Sequence, residues 1–141
     1  MKPDSMTKFD YLFLGALIFD LFIVIAGWDW ILAMGREQLV RGGAEPEILE
    51  ILPEYTATFM AIRFAALFAI WLSISIFRVG FMRYILALWM AHGIYSVVVA
   101  LIDPVMHWLF RGASIFVLLM SVAAVFFVFK PDAGAWLRRE I

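Results

Sequence analysis

Four ionisable side chains lie inside long apolar stretches of the chain: Asp20, Arg63, His92 and Arg111. At the centre of a bilayer such groups cost about 2.5–3.5 kcal/mol each on insertion scales, so each needs a partner or a task. Asp20 and Arg63 have opposite charges, and a guanidinium offers a planar fork of donors that suits a carboxylate. Their pairing has two readings. It is structural glue that sets helix register, or it is a site for a proton, a quinone or another ligand. His92 has three readings: a hydrogen bond to a neighbouring helix, proton or ligand binding, and axial ligation of a haem. Arg111 is close to Asp103, and the two form a candidate interfacial pair; Arg111 can also snorkel to headgroups. His107 falls near the end of an apolar stretch and well off His92 in depth. A haem held by both histidines of one chain is therefore not expected.

These residues need elements to hold them. The chain has 141 residues, 65% of them hydrophobic and 16% charged. Soluble domains are about half apolar and about a quarter charged. The excess is gathered into blocks, which makes a bilayer the expected solvent. Four spans are expected, at about 11–33, 57–77, 81–102 and 106–129, each near the ~20 residues that cross a hydrocarbon core. Together they make an all-α, single-domain, four-helix membrane bundle. Lys2 and Lys8 precede the first block, as in a signal peptide, but Asp20 interrupts it and Trp28-Asp29-Trp30 occupies the place of small cleavage-site residues. A retained helix is the better reading.

A polar segment at about 35–55 separates the first two spans. It carries Gly42-Gly43, Pro46 and Pro53. Between the prolines, Ile48, Leu49, Ile51 and Leu52 fall on one helical face, which predicts a short interfacial helix. Arg78-Val79-Gly80 is a very short turn, and it makes the second and third spans antiparallel neighbours. Asp103-Pro104 ends the third span, because proline disfavours helix in the residue before it.

With the N-terminus in the cytoplasm, Lys2, Lys8, Arg78, Arg83, Lys130, Arg138 and Arg139 fall on the inner side. Only Arg36 and Arg41 fall outside. This bias predicts that both termini are cytoplasmic. Helical rise then gives depths from the inner surface of roughly 14 Å for Asp20, 20 Å for Arg63 and 16 Å for His92. The three can meet near the midplane. Small residues one turn apart (Ala65, Ala69 and Ser73; Ala87 and Ala91; Ser96 and Ala100) predict a tightly packed hairpin of the second and third spans.

Other chemistry is less supported. Net charge is −1 and no basic stripe or RNA-binding motif occurs, so nucleic acid is not an expected partner. No cysteine is present, which excludes disulfides, Cys-ligated metals and thiol catalysis. H-E-x-x-H, G-x-G-x-x-G, P-loop and G-x-S-x-G motifs are absent. The eight methionines read as packing, not copper ligands. The expected partners are membrane lipids, other membrane subunits or further copies of the chain. The candidate cofactors are haem or quinone.

Two stretches resemble known families. His92, Asp103 and Arg111 together resemble the haem-bearing helix and loop of the small membrane anchor of succinate dehydrogenase, which pairs a membrane histidine with a downstream aspartate near the quinone. Here Pro104 stands where that family has tyrosine. Arg63-Phe64-Ala65-Ala66-Leu67-Phe68, then Arg78, Arg83-Tyr84 and Asp103 closing the third span, resembles the DoxX-like group of small membrane proteins. That resemblance implies a single four-helix bundle, often encoded with redox or catabolic enzymes. Ala65 or Ala66 stands where the group often has glycine. The expected function is an accessory or structural subunit of a membrane redox or transport complex, or a stand-alone lipid- or quinone-associated bundle. The alternatives are an oligomeric transporter or channel with a midplane Asp/Arg/His site, and an electron carrier centred on His92.

Overall fold

Four helices are long and apolar enough to cross a membrane: α1 (Asp4–Ala26), α3 (Pro46–Ser75), α4 (Met82–Ile102) and α5 (Trp108–Val128). Two shorter ones, α2 (Trp28–Arg41) and α6 (Pro131–Leu137), complete the described chain. The structure is a computed structural model and describes residues 1–102 and 107–139. No strand occurs among the described residues. Large apolar side chains point outward along all four long helices, among them Phe22, Ile62, Leu88 and Leu119, each more than 60% exposed. Water would not tolerate that much outward apolar surface on so small a bundle; lipid does.

The element boundaries differ from those read in the sequence at three places. α1 begins at Asp4, not near Tyr11. The Pro3 carbonyl accepts from the amides of Met6 and Thr7, and Lys8 pairs with Asp4 one turn away at 2.6 Å, so charged residues extend the helix below its apolar part. The first span also stops at Ala26. Gly27, with φ −101° and ψ 15°, separates α1 from α2, and the Phe110 ring of α5 occupies the space that a Cβ would need there. The expected interfacial segment at 35–55 is divided between α2 and the first turns of α3. Pro46 opens α3, and the helix continues through Pro53 without interruption. Thirty residues make a helix of about 45 Å, longer than a ~30 Å hydrocarbon core, so its opening turns extend past the core. There the carbonyl freed by Pro53 can be met by water.

The helices form a ring in the order α1, α3, α4, α5, with α5 closing back on α1. The most extensive seam is between α1 and α5, which run antiparallel. Gly15 approaches Met120, Phe19 meets Phe116 edge-on at 5.1 Å, and Gly27 receives Phe110. The expected tight hairpin of the second and third spans is not the main contact. Ala65, Ala69, Ala91 and Ser96 are exposed instead of packed, and α3 and α4 touch sparingly. Gly15 and Gly27 let α5 come close to α1, so the close approach that small residues permit is used there.

Both chain ends lie at the same end of the bundle, where Ser5 of α1 donates to Asp132 of α6 at 2.8 Å. This termini end is densely packed. Met6, Phe9, Ile74, Leu86, Val128 and Ala133 are fully buried there, and α6 inserts Trp136 and Leu137. The opposite, far end carries α2 and is open. Between Ala91 and Val99 most of α4 is exposed.

Candidate functional site

In the loose half of the bundle a partly open cavity of about 560 Å³ lies between α1, α3, α4 and α5. Its floor is apolar: Phe13, Leu67 and Leu86 belong to the packed core of the termini end. Above the floor the walls carry Asp20, Arg63, His92 and the hydroxyls of Ser96, Ser114 and Ser121. Pockets for small molecules commonly measure about 300–1,000 Å³ and combine apolar walls with a few convergent polar groups. This one has that character.

Arg63 Nη2 donates to Asp20 Oδ2 at 2.5 Å. The other terminal nitrogen, Nη1, faces the Met60 sulfur at 3.8 Å, and the guanidinium lies 5.4 Å from the centre of the Phe64 ring. A guanidinium has five N–H donors. One donor on each terminal nitrogen is engaged by Met60 and Asp20, so donor capacity remains for a ligand. The pair is partly buried: 17% of the Asp20 side chain and 30% of that of Arg63 are exposed. Opposite charges in contact leave the site neutral overall while keeping a strong local dipole.

His92 lines the same cavity but bonds to neither member of the pair. It stands on the exposed stretch of α4, at the gap facing α3. Its carbonyl accepts from Ser96 Oγ at 3.0 Å, and Ser121 Oγ donates likewise to Val117 O at 2.8 Å. Each serine thereby satisfies its hydroxyl hydrogen within its own helix and keeps oxygen lone pairs facing the cavity. His107 is elsewhere. It caps α5, where Nδ1 accepts from the Leu109 amide at 3.3 Å and the ring lies 5.0 Å from Trp30. Arg111 is on the first turn of α5; the Asp103–Arg111 pair cannot be described because Asp103 lies outside the described residues. No group of three or more His, Cys, Asp or Glu side chains suited to a metal ion occurs among the described residues.

A second carboxylate, Asp10, is bonded more fully and was not among the sequence candidates. Its Oδ1 accepts from Trp71 Nε1 at 3.0 Å and Ser75 Oγ at 2.6 Å, and its Oδ2 pairs with Lys2. Lys2 also donates to Ser75 Oγ at 2.5 Å and lies over the Trp136 ring at 5.5 Å. Arg78 covers the same ring at 4.2 Å, and its φ of 56° puts it in the left-handed region within the α3–α4 turn. The Asp4/Lys8 spacing was the one signal that the first helix reaches back far enough to bring Asp10 inside.

No protein-family model, no curated protein and no solved structure matches this chain.

Proposed function

We propose that the chain is a small integral membrane protein that takes a lipid-soluble ligand of quinone type into the Asp20–Arg63 cavity. It does so as a stand-alone bundle or as an accessory subunit of a membrane redox complex. The cavity itself is the observation that carries this reading: an ion pair with spare donors, inside apolar walls, beside a sparsely packed α3–α4 gap. A quinone head is neutral and accepts hydrogen bonds at two carbonyls. Arg63 supplies donors, His92 supplies a ring N–H, and the neutral pair does not repel an uncharged head. Entry between α3 and α4 needs no passage through water. The basic residues gathered at the termini end support a cytoplasmic position for both termini. The DoxX-like resemblance points toward the same redox setting.

Trp89 lines the cavity and provides the test. The decyl derivative of dimethoxy-methyl-benzoquinone, titrated into the protein in mild detergent, should quench tryptophan emission saturably. Trp89→Phe should remove the saturable part, and the double substitution Asp20→Asn with Arg63→Gln should abolish it. Quenching that is linear and identical in all three proteins would sink the reading.

A further inference from the structure

A second cavity, of about 470 Å³, lies under α2 at the far end. It is lined by Met34 and Gln38 of α2, Thr56 of α3, and Tyr95, Ser96 and Ala100 of α4. Ser96 also lines the first cavity, so the two are neighbours across a single residue. Along α3 and α4 they stack in order. The first spans Phe59 to Leu67 and Leu86 to Val97; the second begins at Thr56 and ends at Ala100. From His92 to Ala100 the helical rise is about 12 Å, which carries the second cavity toward the far surface.

We infer that the second cavity is an aqueous entrance through which water and protons reach the Asp20–Arg63 pair from the far end only. Three observations support it. An ion pair within a membrane characteristically faces water or a protein partner, and this pair faces a cavity. Polar side chains recur among apolar ones along the route: Gln38, Thr56 and Tyr95 line the second cavity, Ser96 lines both, and Ser114 lines the first together with the pair. Both volumes far exceed the ~30 Å³ that one water occupies in the liquid, and each offers the two or more polar partners that an ordered water needs. The other direction is closed. Phe13, Leu67 and Leu86 are each under 10% exposed at the cavity floor, and the fully buried layer of Phe9, Ile74 and Val128 lies beyond them. The chain thus holds its charged pair in contact with one aqueous side and insulated from the other. This goes beyond the quinone reading and does not depend on it, because any occupant of the first cavity would meet the same one-sided supply of protons.

The natural absence of cysteine makes the test direct. Ser114→Cys and, separately, Ser121→Cys place one thiol in the first cavity. The protein is reconstituted in sealed vesicles, and a charged, membrane-impermeant methanethiosulfonate is applied to one side at a time. Labelling is expected from the far side, none from the termini side. Adding Thr56→Phe with Ala100→Phe, which fill only the second cavity, should abolish far-side labelling, while a membrane-permeant maleimide still reacts and shows the fold intact. Labelling from the termini side overturns the proposal. So does silence of both thiols toward the charged reagent, or far-side labelling that the two phenylalanines do not change.

Discussion

Asp10 and Asp20 sit on the same helix, ten residues apart, in opposite surroundings. Asp10 is at the packed end and accepts from Trp71, Ser75 and Lys2, which come from α3 and the N-terminal segment. Asp20 is at the open end and, among the described residues, has a single bonded partner, Arg63, beside a cavity. A fully bonded polar network makes an end rigid and specifies how helices dock, whereas an incompletely bonded one keeps capacity for something else. The contrast separates a carboxylate tied into the packed end from one beside a cavity, the one we propose for ligand binding. A charge in a membrane segment is therefore not a functional signal by itself; the number of its partners decides.

The comparison is broken most forcefully at the packed end. Asp10→Leu leaves the Lys2 ammonium and the Trp71 and Ser75 donors without their acceptor. It should lower stability by about 1.5–3 kcal/mol, the range for hydrogen bonds to charged groups. The shift of the unfolding midpoint in denaturing detergent measures this. At the far end of the α1–α5 seam, Gly27→Val drives a side chain into the Phe110 ring and the Ile23 carbonyl. Overpacking of this kind costs about 1–3 kcal/mol, and the loss should show first as faster amide exchange in α2 and the first turns of α5.

The paired substitution Asp20→Asn with Arg63→Gln removes both charges and leaves two neutral amides in place of the pair. It should change stability by less than about 1 kcal/mol, because replacing a whole buried pair is often neutral. Ligand binding should nevertheless be lost. A large stability loss in this double variant, with ligand binding retained, would make Asp20 a structural residue like Asp10 and erase the contrast.

The smallest effect concerns Asp132. The Ser5 hydroxyl is the main cause that holds its carboxyl below the ordinary value of 3.8. A carboxylate with a lowered pKa in the folded state adds stability that is complete above that ordinary value and is lost as the pH falls through the lowered one. Ser5→Ala should therefore weaken the docking of α6 at neutral pH and flatten its acid dependence below about pH 4. Trp136 fluorescence, followed by acid titration in a variant that keeps only this tryptophan, reads the change.

Much of the architecture was legible before any fold was drawn. Apolar runs of the right length set four spans, and the short Arg78-Val79-Gly80 turn set antiparallel neighbours. Depth was readable too, since helical rise converts residue number into height. It placed Asp20 and Arg63 at heights from which they could meet. Rotation about each helix axis was not readable. A helix apolar on every side has no polar face to mark the inside, because lipid and protein interior are alike to it. The structure alone could turn Asp20 toward Arg63, turn Ala65 and Ala69 outward, and choose the α1–α5 seam between segments about a hundred residues apart. It alone decided that Phe110 fills the space above Gly27, that α3 runs on through Pro53, and that one end closes while the other stays open. Those outcomes depend on how side chains from distant parts of the chain fill one volume, and composition and spacing carry no record of that.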